Sequence, residues 1–405
     1  MPKNKISQKK SKKVSQISTK YRKIMTKIPA PDFIPLFKEM RKYEVSDICT
    51  HELPLIWDKA DDFQVYDKWG NKWIDFTSGI FVANVGHCAK EVAASIVNKA
   101  VNKLIHSYVF PNEPRLKLTK KLCEITGMDK VLLTVTGSEA NDAVIQMMQR
   151  RKKGKILSIK GAYYGSTVAC RALSDNAIDE SMLPDKINPD KIAGVFLQAF
   201  RGRDANFMPY DWIRAWYNWA QRNNIPVGFD EAQSGFARTG KWFGYQHYDI
   251  KPDFITVAKA FGGGLPISAV VGRKDLLELS EDLWSTHSGN PVCCAAALAV
   301  LEIIKKKNLV ERSARRGEWF GQLLRKTFPD NKVYGRGMMW ALYTGEAKIT
   351  QKIIEKCAEK GLLLVSTHGP AIKIGPPLTI PDEALIEGVK VMEESFKEVI
   401  KKINK

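Results

Sequence analysis

The stretch Pro252–Val270, PDFITVAKAFGGGLPISAV, predicts a buried strand that ends at a single lysine. The apolar and β-branched residues Phe254–Val257 precede Lys259, and three glycines follow it at positions 262–264. Most lysines are solvated surface charges. A lysine at the end of a buried strand instead tends to have a lowered pKa or a covalent role, because burial disfavours its charged form. The sequence therefore places a candidate reactive amine at the edge of a sheet.

Strand patterns and helix patterns alternate on both sides of this stretch. Short apolar runs end at polar or glycine-rich turns, and helical patterns follow, for example over Ala140–Arg151 and Tyr210–Asn223. This alternation predicts an α/β fold with a mostly parallel sheet, whose ligands bind beyond the carboxyl ends of the strands. The predicted strands are Lys130–Val135, Lys155–Ile159, Ile192–Leu197, Pro226–Phe229, Phe254–Val257 and Ser268–Gly272.

The regular alternation of strands and helices does not extend to either end of the chain. A helix followed by a hairpin is predicted between Phe33 and Trp73, and a series of helix, strand, helix, strand and helix is predicted after Arg312. We predict four parts: a basic tail (1–30), an N-terminal segment of a small domain (31–75), a large domain (76–310) and a C-terminal part of the small domain (311–405).

The net charge of +19 is concentrated at the start of the chain of 405 residues. Residues 1–30 contain ten Lys or Arg and no acid, which leaves 19 − 10 = +9 for the remainder. Few apolar residues are available to fold this tail, so we predict a disordered, solvated extension. The alternative is attraction to nucleic acid or to a membrane surface, but the tail lacks the interleaved aromatic residues of a nucleic-acid binder.

The cysteines are odd in number and scattered, without a C-x-x-C pair or a cluster with metal-ligand spacing. This usage predicts reduced thiols, no bound metal and a cytoplasmic location. No apolar run approaches the roughly 18 residues that a membrane span needs, so no membrane attachment is expected.

A second motif, Val227–Tyr245, delivers an Asp–Glu pair to the same edge of the predicted sheet. A carboxylate buried at a strand end is costly unless it meets a cation or several donors. Asp230 therefore requires a positive partner, for which a protonated ring nitrogen is one candidate and Arg238, in a structural salt bridge, is another. Gln233 follows and can donate to a phenolate oxygen.

Three further sequence features could bind a ligand, but each is weak evidence when taken alone. In Thr134–Asp142, TVTGSEAND, a strand turns into a helix, and Gly137 and Ser138 can offer N–H groups to a phosphate. An ordinary helix N-cap is the alternative. Tyr163 follows the next strand and either stacks on a flat heterocycle or packs on the core. Thr286 precedes another predicted helix and is available to a phosphate.

These five motifs, in their order along the chain and at their separations, resemble the class III aminotransferases of the fold-type I pyridoxal-phosphate enzymes. The resemblance runs from about Leu55 to Leu378, with GNKWIDFTSGIFVANVGH (Gly70–His87) at its front and IKIGPPLTI (Ile372–Ile380) near its end. It implies a large domain with a seven-stranded type of sheet and a smaller α+β domain built from both ends of the chain. It also implies pyridoxal 5'-phosphate as cofactor and ping-pong transfer of an amino group between an amine or amino acid and an oxo acid.

The resemblance also implies roles for individual residues. Lys259 carries the cofactor as a Schiff base, and Asp230 pairs with the pyridine nitrogen. The remaining cofactor contacts are Gly137 and Ser138 at the phosphate, Tyr163 and Ala232 on the two ring faces, Gln233 at the ring hydroxyl, and Thr286, which reaches the phosphate from the partner subunit. A homodimer with shared active sites is therefore expected.

The substrate side departs from the family pattern. A Glu that pairs with an Arg in some members is replaced by Arg203, and that Arg is replaced by Lys373. Two nearby cations repel unless an anion lies between them, so we hypothesise that these residues and Arg201 bind a strongly anionic substrate. Arg203 pointing to solvent is the alternative. Ile80 and Phe81 lie where members line the substrate pocket, but alternation does not tell which of them faces inward.

Two other functions compete with transamination. The same cofactor framework supports racemases or epimerases, aminomutases and decarboxylases, and Lys259 and Asp230 do not distinguish among these. A catalytically silent scaffold or nucleic-acid-binding protein is the other candidate. The presence of both Lys259 and Asp230 argues against it.

Overall fold

The largest sheet in the computed structural model, which describes residues 16–45, 53, 55–202, 205–366 and 369–403, has seven strands. Across the sheet their order is Lys130–Thr134, Ser268–Gly272, Phe254–Val257, Val227–Asp230, Ile192–Gln198, Lys155–Ile159 and Ala177–Ile178. Ser268–Gly272 runs antiparallel to both of its neighbours, and the other pairings are parallel. The prediction of an α/β fold with a mostly parallel sheet is confirmed.

The six strands predicted from the sequence are present, with ends that differ by at most one residue. Two features of the sheet escaped the sequence pattern. Ala177–Ile178 is a two-residue edge strand, too short to show a period. The run Ser268–Gly272 is buried at every position, and a fully buried strand has the same pattern in either direction.

Helices cover the large sheet because each has one apolar face. In Tyr210–Arg222, for example, Trp212, Trp216 and Trp219 recur at helical spacing and are buried. The helices of this part are Lys90–Val101, Glu113–Thr126, Gly137–Arg151, Val168–Ala172, Tyr210–Arg222, Lys274–Leu277 and Pro291–Lys306. Short 3-10 helices lie at Leu173–Asn176, Pro184–Lys186, Pro189–Lys191, Gly244–Tyr248 and Lys259–Gly262. A small hairpin joins Phe200–Arg201 to Asn206–Phe207.

Two smaller sheets are built from the ends of the chain. One contains Val333–Arg336, Met339–Tyr343, Ala371–Ile374 and Val365–Ser366, all antiparallel. The other contains Ile17–Ser18, Lys23–Ile24, Lys72–Asp75, Gln64–Tyr66 and Lys59–Asp61, and Leu362–Leu363 pairs in parallel with Lys72–Asp75. The accompanying helices are Phe33–Tyr43, Leu309–Thr327, Ala347–Glu359 and Asp382–Ile403. N-terminal and C-terminal segments thus share one sheet, while the domain boundaries remain a prediction.

The start of the chain differs from the prediction of a disordered tail over residues 1–30. Residues 1–15 lie outside the described part, but Ile17–Ser18 and Lys23–Ile24 form a hairpin. Ile24 and Ile28 are buried in an apolar cluster with Trp73. The prediction is therefore wrong for residues 16–30, because these few apolar residues pack onto a sheet from elsewhere in the chain, which local composition does not reveal.

Within the part of the chain that the structure describes, no helix is both long enough and apolar enough to cross a membrane.

The packing of the N-terminal hairpin can be tested with two matched substitutions. Ile24→Ala removes a side chain that is 2% exposed, and we expect it to lower the free energy of unfolding by about 2–5 kcal/mol. Ile34→Ala, at a position 55% exposed, should change it by less than about 0.5 kcal/mol. Urea unfolding of both variants measures the difference. Equal effects would mean that the hairpin does not pack as described.

Candidate active site

A cavity of about 390 Å³ opens at the carboxyl ends of the central strands. The strands Ile192–Gln198 and Val227–Asp230 each contribute their last residue to its wall. Its lining comprises Val82, Val135, Thr136, Gly137, Ser138, Asn141, Tyr163, Tyr164, Gly165, Gln198, Phe200, Asp230, Ala232, Gln233, Ala258, Lys259, Gly264, Leu265, Pro266 and Ile267. The structure thus brings together the motifs that the sequence distributes over more than one hundred residues.

Asp230 lies at the base of this cavity and is held by three donors. Its Oδ1 accepts a hydrogen bond from the Ala232 N–H at 2.9 Å. Its Oδ2 accepts from Asn141 Nδ2 at 3.1 Å and from Gln198 Nε2 at 2.8 Å. The hydroxyl of Thr256 donates to Asn141 Oδ1 at 2.6 Å, which fixes the orientation of that amide. The carboxylate is therefore rigidly placed.

Asp230 and Lys259 have opposite pKa shifts. Burial raises the pKa of Asp230, while its hydrogen bonds and the charge of Lys259 act in the other direction. Burial also lowers the pKa of Lys259, which the charge of Asp230 opposes. A further cation beside Asp230 would stabilise its ionised form, since an opposite charge favours ionisation. The amine of Lys259 loses its proton more readily than an ordinary lysine does.

The backbone at Lys259 is strained. Its φ of 46° lies in the left-handed region, which non-glycine residues rarely adopt. The strand Phe254–Val257 ends just before it, and the 3-10 turn Lys259–Gly262 begins at it. Such strain costs roughly 1–3 kcal/mol and is concentrated at functional sites. This sharp change of direction places the lysine at the wall of the cavity.

A helix N-terminus forms another side of the cavity. Thr136 caps the helix Gly137–Arg151, and its side chain accepts from the Glu139 N–H in a capping box. This box leaves the first two amides, those of Gly137 and Ser138, available to an anion. Gly165 packs so closely on Ser138 that a Cβ at position 165 would lie 2.4 Å from the serine Oγ.

Tyr163, Ala232 and Gln233 also line the cavity. Tyr163 is 54% exposed, its hydroxyl hydrogen-bonds with Ser166 Oγ at 2.8 Å, and its carbonyl oxygen accepts from Gln198 at 2.7 Å. The Oε1 of Gln233 is buried and has no hydrogen-bond partner among the described residues. A buried polar atom of this kind normally has a partner, so it marks a place for a ligand donor.

The neighbouring Glu231 points away from the cavity and has a structural function. Its carboxylate accepts from Ser234 Oγ at 2.7 Å and from the N–H groups of Gly244 and Tyr245 at 2.7 and 2.6 Å. Burial raises the pKa of Glu231 to about 7. The Asp–Glu pair recognised in the sequence thus divides into one residue at the cavity and one that holds the loop behind it.

The alternative partner considered for Asp230 was Arg238. The described part of the structure contains no salt bridge between these two residues. Arg238 is fully buried, and its guanidinium donates to Asn84 Oδ1 and to the carbonyl oxygens of Met338 and Pro376. Asp230 therefore remains directed at the cavity.

Comparison with known proteins points to one protein family. The model of the aminotransferase class-III family matches residues 46–187 and 180–396. The acetylornithine aminotransferase of Archaeoglobus fulgidus is 31% identical over 379 residues, which are 87% of this chain and 98% of that protein. The leucine/methionine racemase of Thermococcus litoralis is 32% identical over 407 residues, 85% of this chain and 91% of its own length.

Among solved structures, the ornithine aminotransferase of Toxoplasma gondii aligns with a TM-score of 0.85 and 25% identity, covering 91% of this chain and 96% of that one. The chain belongs to the class III aminotransferase family. It is a pyridoxal-phosphate-dependent aminotransferase, as its sequence motifs suggested.

The residues of this aminotransferase fit the cofactor. The helix N-terminus at Gly137 and Ser138 suits a phosphate, and Tyr163 offers a flat surface beside the cavity. The buried Asp230 carboxylate suits a protonated ring nitrogen. The Gln233 Oε1, which has no partner among the described residues, suits a hydroxyl donor on the ring, whereas the sequence had suggested that Gln233 donates to a phenolate oxygen.

The substrate-side residues that were predicted from the sequence and that the structure describes do not line this aminotransferase cavity. Arg203 lies outside the described residues, and among those that are described neither Arg201 nor Lys373 lines the cavity. Arg201 forms an ion pair with Glu180 at 3.2 Å. Ile80 lines a separate apolar pocket near Trp57, and Phe81 is buried in a cluster with Phe200.

Thr286 is exposed in a turn and does not line the cavity formed by the described residues of the same chain. The role of Thr286 at a partner's active site stays a prediction.

The sequence interpretation missed two residues that contact Asp230, namely Asn141 and Gln198. Asn141 follows Gly137 by about one helical turn, so its position on the same helix face was a usable signal. Gln198 is the only polar side chain in the otherwise apolar strand Ile192–Gln198, which was a second signal. The wall residues Val82, Phe200 and Ile267 gave no comparable signal, because apolar residues there resemble ordinary core.

The contact between Gln198 and Asp230 predicts a pH-dependent effect of Gln198→Glu. The new carboxyl keeps its proton at about pH 5, but at about pH 8 two carboxylates within roughly 4 Å repel by up to about 4 kcal/mol at an effective dielectric of 20. Its pKa in the folded state is thus raised, so stability is lost as the pH rises.

Urea unfolding of the wild type, Gln198→Glu and Gln198→Met at both pH values measures this effect. Gln198→Met serves as the uncharged control and should lower the free energy of unfolding by the same amount at both pH values. An equal loss for Gln198→Glu at the two pH values would contradict the described contact.

Proposed function

We propose that this aminotransferase moves an amino group between an amino acid or amine and an oxo acid in two half-reactions, with Lys259 and Asp230 as its catalytic residues. The observation that supports the proposal most strongly is the pair of buried groups at one cavity, a fixed carboxylate and an amine with a lowered pKa. Buried ionisable groups with shifted pKa values that meet in a cleft are concentrated at functional sites.

The cofactor site would be formed by the residues already described. Gly137 and Ser138 would hold the phosphate, Tyr163 and Ala232 would pack on the two ring faces, and Gln233 would contact the ring hydroxyl. When bound, pyridoxal phosphate supplies the electron sink that stabilises negative charge on the substrate carbon. Asp230 would keep the ring nitrogen protonated, and the three hydrogen bonds to Asp230 support this assignment.

Lys259 would have two tasks, to bind the cofactor covalently and to move a proton. Both require a neutral Nζ, because a protonated ammonium is neither nucleophilic nor basic. Burial lowers the pKa of Lys259 and so increases the neutral fraction near neutral pH. The neutral amine of Lys259 would take the proton from the substrate Cα as a general base and then donate that proton as a general acid.

We infer a cytoplasmic homodimer in which Thr286 of the partner subunit completes the phosphate site. The exposure of Thr286 in a turn supports this arrangement. The six cysteines in the described part of the chain are free, which supports a reducing compartment.

The relatives support a small-molecule amino donor and an oxo-acid acceptor, because several are named aminotransferases of amino acids. Two others are named leucine/methionine racemase and isoleucine 2-epimerase. Racemisation or epimerisation on the same framework is therefore the second candidate, and aminomutase and decarboxylase activities remain further alternatives. The hypothesis of a strongly anionic substrate stays a prediction.

A half-reaction measurement tests the proposed function. The protein loaded with pyridoxal phosphate is incubated with a panel of amino donors in the absence of any oxo acid. A transaminase should release about one equivalent of oxo acid per active site and then stop, because the amino group remains on the enzyme. Release of the opposite enantiomer over many turnovers, without oxo acid, would instead establish a racemase.

The assignment of Lys259 predicts where the cofactor is attached. After loading with pyridoxal phosphate and reduction with borohydride, mass spectrometry should find the label on Lys259. Lys259→Ala should not be labelled there and should lose at least about 10³-fold in transamination, since it lacks the nucleophile. Lys274→Ala, at an exposed position, is the matched control and should behave as the wild type. Labelling spread over surface lysines would show that the assignment is wrong.

A further inference from the structure

Three polar residues lie in one row across the apolar centre of the large sheet. The pairing register places Asp230 opposite Gln198 on one neighbouring strand and opposite Thr256 on the other. Side chains at the same register on adjacent strands point to the same face of the sheet. All three are buried, and the other residues of their strands are apolar or glycine. A polar row inside a core is costly unless each member has a defined partner, so its partners indicate its role.

Two side-chain amides connect Asp230 to the loop that carries Tyr163. Gln198 Nε2 donates to Asp230 Oδ2 and, at 2.7 Å, to the carbonyl oxygen of Tyr163. Asn141 Nδ2 donates to the same Oδ2 and, at 2.6 Å, to the carbonyl oxygen of Tyr164. A side-chain amide has two N–H donors, so each residue uses both of them here. These two residues, the amide pair, thus hold one carboxylate oxygen and two consecutive carbonyl groups of the loop.

The amide pair and the loop are themselves fixed. The hydroxyl of Thr256 donates to Asn141 Oδ1 at 2.6 Å, which leaves the nitrogen of this amide directed at Asp230 and the loop. The hydroxyl of Tyr164 donates to the carbonyl oxygen of Phe196 at 2.7 Å and accepts from the Ile159 N–H at 3.2 Å. The loop is therefore anchored to the sheet at the point where the amide pair holds it.

The two parts that the amide pair joins meet the cavity on different sides. Asp230 lies at its base, and the half-exposed Tyr163 lines its wall. Hydrogen bonds to a carboxylate favour its ionised form, so the amide pair also supports the charge of Asp230. Small displacements of groups around reacting atoms lower rates strongly. A device that sets Asp230 and Tyr163 relative to each other would therefore affect the chemistry.

We propose that Gln198 and Asn141 are positioning residues that fix the loop at Tyr163 and the carboxylate of Asp230 as one unit, so that the group at the ring nitrogen and the group on the ring face are aligned together. The inference rests on the proposed function, in which both groups contact the cofactor. The alternative is that the two amides only satisfy buried hydrogen-bonding groups. The two ideas differ in whether a change at Gln198 alters the loop and the ring nitrogen together.

Gln198→Met tests the proposal both without and with the cofactor. In the cofactor-free protein the loop loses one donor, so the backbone amides of residues 161–166 should exchange with deuterium about fivefold faster. The second readout is ¹⁵N NMR of the protein loaded with pyridoxal phosphate labelled at the ring nitrogen. Its signal should move towards the neutral form, because a carboxylate with fewer donors takes up the shared proton more readily. The kcat of transamination should fall about tenfold, while KM for the amino donor should change by less than about threefold.

Three further variants separate this coupling from a general loss of stability. Gln146→Met, at an exposed position on the same helix as Asn141, should change neither readout. Thr256→Val removes only the hydroxyl that orients Asn141, so it should move both readouts in the same direction, with exchange about twofold faster. In the Asp230→Asn background, Gln198→Met should leave the ring-nitrogen signal where Asp230→Asn alone places it, because Gln198 acts through Asp230.

Faster exchange of the loop with an unchanged ring-nitrogen signal, or the reverse, would show that the two are not held as one unit. A shift by Gln198→Met that persists in the Asp230→Asn background would exclude action through Asp230. If Gln198→Met does not fold, Thr256→Val decides by the same two readouts.

These outcomes are separate from failure of the proposed function, since neither the exchange nor the ring-nitrogen signal requires turnover. A protein that releases no oxo acid in the half-reaction but shows both changes together would retain the role of the amide pair and lose the assignment as a transaminase. A working transaminase in which only one readout changes would retain its function and lose the role of the amide pair.

Discussion

The central constraint on the structure is that the buried carboxylate of Asp230 must be stabilised without water. Removing a carboxylate from water costs several kcal/mol unless hydrogen bonds or charges replace the solvent. Here Asn141, Gln198 and the Ala232 N–H supply the hydrogen bonds, and each comes from a different part of the chain. Their convergence requires parallel strands that end at a common edge. The α/β architecture is thus the means by which one carboxylate is fixed beside Lys259.

The sequence predicted the large sheet well because buried strands and amphipathic helices have distinct periods. Strand ends were found within one residue, and the antiparallel direction of Ser268–Gly272 was the feature that periodicity does not encode. The packing of Ile24 and Ile28 against Trp73 was also not predictable locally. Their partners lie more than forty residues away, and composition alone had indicated a solvated tail.

At the site, the motifs predicted which residues would meet but not how the wall is built. Gly137, Tyr163, Gln233 and Lys259 line one cavity, as the order of the motifs had suggested. Alternation did not determine whether Phe81 faces inward, because it applies to strands. The segment is a left-handed turn instead, and the strained conformation is held by contacts from distant parts of the chain. Residues that act through such contacts are visible only in the folded structure.

The central claim is that Asp230 keeps a charged ring nitrogen in the cavity. The most direct test is ¹⁵N NMR of the protein loaded with pyridoxal phosphate labelled at the pyridine nitrogen, in the wild type and in Asp230→Asn. The account predicts a protonated nitrogen in the wild type from about pH 6 to about pH 9, and a neutral one in Asp230→Asn over most of that range. A neutral nitrogen in the wild type, or the same protonated signal in both proteins, would contradict it.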